Sequence, residues 1–139
     1  MVSLRLQTPL GEVELFKCGF AYVGVYDLNL MFEKGDVRET DYGVNRLNMY
    51  LGKDREVRAA QSPIHQVENI KAALYVAHGE KDVRAHVEHY HRLIEALEAK
   101  KIPHRKMLVE NEGHGFYAQE NREKLYSELV EFIDEHIGQ

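Results

Sequence analysis

From Ser62 onward the chain alternates short apolar runs with amphipathic stretches, and few folds accommodate that alternation. Ser62-Pro63-Ile64 punctuates the sequence, because proline fixes its own φ and pushes its predecessor into extended geometry. After it, AALYVAH from Ala72 to His78 is a strand-length apolar run that stops at Gly79. The stretch from about Val87 to Lys100 then places Tyr90, Leu93, Ile94 and Leu97 at helical spacing with charged residues between them. Ile102-Pro103 leads into a second strand, Arg105 to Val109. A glycine-flanked loop follows, then a helix with Leu125, Leu129, Phe132 and Ile133 on one face. The order is βαβα, which predicts parallel strands joined by right-handed crossovers.

A further strand is read upstream. FKCGFAYVGVY, from Phe16 to Tyr26, is almost continuously apolar and rich in aromatic and β-branched residues, the composition of a parallel strand buried on both faces. Between Asp27 and Ser62 the sequence is mixed and punctuated by glycine. It predicts an irregular helical region, with Leu47, Tyr50 and Leu51 marking one face of a short helix before Gly52. No repeat, low-complexity tract or linker divides residues 16–139, and 44% hydrophobic residues suffice for one core. The expectation is an α/β fold with about three parallel strands flanked by helices. Residues 1–15 read in two ways. Val2, Leu4 and Leu6 alternate with polar residues, and Pro9-Leu10-Gly11 offers a turn into Glu12-Val13-Glu14-Leu15, which suits a strand or hairpin; Leu4-Arg5-Leu6 equally suits the last turn of a helix remnant.

Charge and composition exclude several classes of function. A net charge of −5 and a pI of about 5.9 argue against a general grip on phosphate backbones, so no nucleic acid partner is expected. No apolar stretch approaches the length of a membrane span, and the N-terminus lacks a signal-peptide layout, so no membrane partner is expected. Cys18 is the single cysteine, which rules out an internal disulfide and fits a cytoplasmic setting. His86, His89 and His91 invite a zinc reading, but His91 projects away from His89 and no further ligand is obvious. They are read as a solvated helix face, and no cofactor or metal is expected.

Parallel sheets gather functional groups in the loops beyond the carboxyl ends of their strands. Two loops qualify, His78-Gly79-Glu80-Lys81-Asp82 and Glu112-Gly113-His114-Gly115-Phe116. Asp82 and His114 each follow a strand and lie one helix and one strand apart, so adjacent parallel strands would bring them together. A carboxylate that accepts a hydrogen bond from an imidazole Nδ1 fixes the tautomer and stabilises the imidazolium, as the acid and base of a nucleophilic triad require. Gly113 and Gly115 suit a sharply turned loop that presents the ring. Taken from spacing alone, an unrelated surface Asp and a His in a Gly turn remain the alternative.

The segments SPIHQVENIKAALYVAHGEKDVR, from Ser62 to Arg84, and ENEGHGF, from Glu110 to Phe116, resemble the closing part of the α/β-hydrolase catalytic domain of the prolyl oligopeptidase family, in its dipeptidyl and acylaminoacyl peptidase branch. FKCGFAYVGVYDLNLMF, from Phe16 to Phe32, resembles the strand that follows the nucleophile's helix in that branch. The resemblance implies that the HGxxD motif supplies the triad aspartate, at Asp82, and that GHGF supplies the general base, at His114. It implies a structural role for His78.

The fold's chain order is Ser, Asp, His, with the serine in a GxSxG elbow, and no such elbow occurs in this sequence. Ser3 has no flanking glycine, Ser62 precedes a proline, and Cys18 lies inside an apolar strand where burial disfavours the thiolate. The resemblance therefore implies the last strands of a peptidase sheet carrying Asp82 and His114 without the nucleophile, inactive alone, within a parent that cleaves short peptides. An esterase of the same fold is an alternative. A non-catalytic α/β module that forms a homodimer through an exposed sheet edge is another, because the strand at Phe16 would lose a neighbour. Arg84 is read as solvated or as a ligand for a substrate carboxylate, and Tyr22, Tyr26 and Phe116 as core or pocket aromatics.

Overall fold

The computed structural model describes residues 16–138. The element order is β1 (Cys18–Tyr22), α1 (Leu30–Glu33), a 3-10 turn (Asp36–Glu39), α2 (Asp41–Leu51), α3 (Arg55–Gln61), a second 3-10 segment (Pro63–Asn69), β2 (Ala73–Gly79), α4 (Glu88–Ala99), β3 (His104–Val109) and α5 (Gln119–Ile137). The strands form one parallel sheet in the order β1-β2-β3, with Tyr22 opposite Ala77 and Gly79 opposite Val109. The expected α/β class, with three parallel strands flanked by helices, is the fold observed. The readings of residues 1–15, Ser3 included, lie outside the described residues. Among those described, no helix is long and apolar enough to cross a membrane.

Alternation along the central strand builds two cores. Leu74 and Val76 face one side, where they join Ala21, Tyr26, Tyr90, Leu93, Ile94 and Leu97. Tyr75 and Ala77 face the other, with Met107, Phe116, Leu125 and Phe132. Helix α4 therefore covers one face and α5 the opposite face, and β2 is buried on both because it has a strand on each edge and a helix on each side. Each fully buried Leu or Phe among them contributes about 2 kcal/mol of transfer free energy.

Two expectations fail in detail. The strand read from Phe16 to Tyr26 stops at Tyr22, and within it only Ala21 is buried. Among the described residues β1 pairs with β2 alone, so its outer side lacks the cover that a central strand has. Val23 takes φ 44, a left-handed conformation that a β-branched residue adopts only under constraint, while its N–H bonds the Ala77 carbonyl at 2.9 Å. The chain turns there, and Tyr26 goes to the core from a loop rather than from the strand. The face assigned to the short helix also differs. Leu47 is buried, but Tyr50 is exposed, where the Arg46 guanidinium lies over both the Tyr42 and Tyr50 rings.

Ser62 is fully buried and belongs to this scaffold. Its hydroxyl donates to the Arg58 carbonyl at 2.7 Å and accepts from the Leu28 N–H at 2.8 Å, tying α3 to the segment that leaves β1. A hydroxyl enclosed and engaged in this way is not available for attack.

Candidate active site

The loops after β2 and β3 interlock through their backbones. Glu80 N–H bonds the Val109 carbonyl at 3.0 Å, and Lys81 N–H bonds the Glu112 carbonyl at 2.9 Å. Gly79 makes this approach possible. A Cβ built there would fall inside contact distance of the Glu112 and Gly113 carbonyl oxygens, which are backbone atoms with no room to give. Gly115 is required for a different reason, its φ of 124. Gly113, which sequence reasoning placed beside it, has neither constraint: a Cβ there would meet nothing nearer than the Lys81 carbonyl at 3.7 Å.

Asp82 is buried at the end of the first loop, and both of its oxygens are engaged. Oδ1 accepts the Arg84 and Ala85 N–H groups, each at 2.9 Å, which ties the carboxylate to its own turn. Oδ2 lies 2.9 Å from His114 Nδ1 and 3.3 Å from His78 Nε2. Burial pushes the Asp82 carboxyl up, but the hydrogen bonds from His78 and His114 outweigh it and hold the carboxyl below its ordinary value. The group is a carboxylate at neutral pH. His114 keeps 38% of its side chain accessible, and its Nε2 makes no hydrogen bond to any described residue. The pair is thus a buried carboxylate behind a ring whose other nitrogen is free to exchange a proton.

Two contacts that sequence reasoning missed aim the His114 loop. Glu112 is buried, and its carboxylate accepts the Tyr117 and Ala118 N–H groups at 2.8 and 2.9 Å and the Asn121 side-chain amide at 2.7 Å, pinning the turn that leads into α5. The Asn121 amide and these backbone donors hold the Glu112 carboxyl below its ordinary value. A glutamate a few positions ahead of a helix pattern was the available signal. Tyr22 Oη, at the end of β1, accepts the Phe116 N–H at 2.6 Å, and the two rings meet edge to face at 5.2 Å. Tyr22 is therefore a brace for the loop, while Tyr26 is a core residue.

The histidines after Asp82 separate. His86 lies in the turn before α4, where its Nδ1 accepts the Glu88 N–H, and His91 is exposed. His89 is not on a solvated face as expected. It is buried, and its Nδ1 faces the Tyr26 and Asp27 N–H groups, each at 3.4 Å. Burial pushes its imidazole down to about 4 despite the neighbouring Asp27 carboxylate, which itself pairs with Arg92 at 2.8 Å. Among the described residues no group of three His, Cys, Asp or Glu side chains is placed to hold a metal ion. Arg84 turns from Asp82 to form an ion pair with Asp36 at 2.9 Å.

The chain as a whole is similar to known proteins. The profile of the prolyl oligopeptidase family matches residues 7–139. The dipeptidyl aminopeptidase BIII of Pseudoxanthomonas mexicana is 28% identical over 130 residues, which span 90% of this chain and 19% of that protein. Among solved structures, a puromycin-hydrolyzing peptidase of Mycobacterium tuberculosis superposes with a TM-score of 0.82 at 20% identity, over 93% of this chain and 20% of its own. The acylaminoacyl peptidase of Pyrococcus horikoshii gives 0.82 at 20% identity, over 94% of this chain and 22% of its own. The chain therefore spans about a fifth of the length of each of these relatives.

Proposed function

Because the chain belongs to the prolyl oligopeptidase family, we propose that Asp82 and His114 are the orienting acid and the general base of a serine-peptidase triad whose serine is not among these 139 residues. The observation that carries this reading is the 2.9 Å contact from His114 Nδ1 to a buried Asp82 oxygen, with the ring's Nε2 left accessible. With Nδ1–H committed to Asp82, Nε2 is the nitrogen that would take a proton from a serine hydroxyl and return it to a leaving amine. The substrates of the relatives point to short peptides, and an esterase would use the same pair. The single cysteine fits a cytoplasmic setting.

The experiment is labelling of the 139-residue chain with a fluorophosphonate probe, followed by intact mass and peptide mapping. The expected result is no adduct, since Ser62 is enclosed, Ser127 is exposed on the outer side of α5, and neither hydrogen-bonds to His114. An adduct that maps to Ser3, Ser62 or Ser127 and disappears in His114→Ala would overturn the missing-serine reading.

The outer side of β1 supports a second reading, self-association. Among the described residues it carries no partner strand, and Phe16 beside it is 57% exposed. Light scattering of the chain would show a concentration-dependent dimer on this reading, and a strict monomer would exclude it.

A further inference from the structure

His78 takes no part in the proton transfer proposed above, yet it is fully buried against the carboxylate that serves it. It is the penultimate residue of β2, opposite Leu108 in the sheet, with its ring 6.0 Å from that of Tyr90 on α4. Its Nε2 lies 2.8 Å from the Ala85 carbonyl oxygen and 3.3 Å from Asp82 Oδ2. Both neighbours are acceptors, so Nε2 carries the ring proton and shares it between them. Nδ1 is buried with no hydrogen-bond partner. A bare ring nitrogen fits that position, because orphaned buried N–H groups are rarer than under-satisfied acceptors.

The other Asp82 oxygen accepts the Arg84 and Ala85 N–H groups. Hydrogen bonds to one oxygen tolerate a range of angles, so they limit rotation about the Cβ–Cγ bond without fixing it, and a further donor on the second oxygen narrows that range. We propose that His78 is a positioning residue: its Nε2–H, anchored on the Ala85 carbonyl, fixes the Asp82 oxygen that receives the His114 Nδ1–H. The inference rests on the acid–base reading of Asp82 and His114. It gives that pair a rigid reference in the central strand of the sheet, so the place of His114 is set by the core as well as by its own glycine loop. The spacing of His78 and Asp82 in the HGEKD segment follows, since four residues of turn return the carboxylate to the ring that precedes it.

The test uses NMR on the labelled 139-residue chain. In the unmutated protein, nitrogen shifts should show His78 protonated at Nε2 with Nδ1 bare. A proton on Nδ1 with Nε2 bare would overturn the proposal, whatever any variant does. In His78→Leu, the Asp82 carboxyl midpoint should move up, and the His114 Nδ1–H resonance should broaden through exchange with water. His78→Gln keeps an N–H donor and should restore both. If His78→Leu folds with both signals unchanged, the proposal fails. If His78→Leu does not fold, an Asp82 midpoint in His78→Gln that matches the unmutated chain supports the proposal, and one raised despite the retained donor contradicts it. Failure of the underlying pair reads differently: His114 resonances that ignore Asp82→Asn would dismiss the Asp82–His114 coupling, whereas the His78 arms report on the Asp82 carboxyl while that coupling persists.

Discussion

Gly79→Ala lowers the melting midpoint by about 10 °C and separates His114 from Asp82. The added methyl would enter the space of the Glu112 and Gly113 carbonyls, so the two loops that carry the pair must part. Forcing a carbon into a packed site against backbone costs about 3 kcal/mol, which for a domain of this size corresponds to roughly that shift. Circular dichroism reads the stability and the His114 Nδ1–H resonance reads the geometry. Gly113→Ala is the control, because its methyl has only an ordinary contact at 3.7 Å with the Lys81 carbonyl. It should melt within about 2 °C of the unmutated chain. Equal losses in the two variants would show that the close approach at Gly79 is not what holds the loops in place.

Acid destabilises the chain well before its carboxylates protonate. His89 folds with its imidazole pushed down to about 4 from an ordinary 6.5, so between those values the unfolded chain binds a proton that the folded chain refuses. Stability rises with pH wherever the unfolded state holds more protons, and His89 therefore contributes fully above about pH 6.5 and progressively less down to about pH 4. The loss over that window is about 3 kcal/mol. Burial of the ring underlies it, and a proton on Nδ1 would also point at the Tyr26 and Asp27 N–H groups. Asp82 adds a separate sensitivity. Its carboxyl is held below the ordinary 3.8, so its contribution is present above that value and is lost as pH falls further. Urea unfolding at pH 7 and pH 4.5 measures the effect of His89. His89→Gln, which keeps an acceptor that does not titrate, should lose markedly less between the two, and an identical loss would place the acid sensitivity elsewhere.

The parts of the molecule that repeat with a period were legible in the sequence. Tyr90, Leu93, Ile94 and Leu97 are all buried on one face of α4, and Ala73–Gly79 is the central strand that AALYVAH announced. Periodicity also led to Asp82 and His114, because each follows a strand in a sheet whose carboxyl ends converge. What was not legible depends on partners distant in sequence. Nothing in the local pattern says that β1 ends at Tyr22, since the turn at Val23 is set by the Ala77 carbonyl. His89 looks like a polar interruption of an amphipathic helix until Tyr26 and Asp27 arrive to use its nitrogen. The need for glycine at position 79 arises from the backbone of a loop more than thirty residues later, whereas the apparent need at Gly113 came from its proximity to His114.

The hydrogen bond from Phe116 N–H to Tyr22 Oη joins residues 94 positions apart. Between them lie both crossovers of the sheet, so this contact closes a long loop of chain. Distant closures of this kind slow folding, because chain entropy is lost before the contact repays it. The strands that carry the pair, β2 and β3, are joined locally by α4, whereas the brace on the His114 loop comes from the strand farthest away in sequence. A partly unfolded chain whose first strand has left the sheet would keep Asp82 and His114 on β2 and β3 and present His114 on a loop that lacks its Tyr22 support.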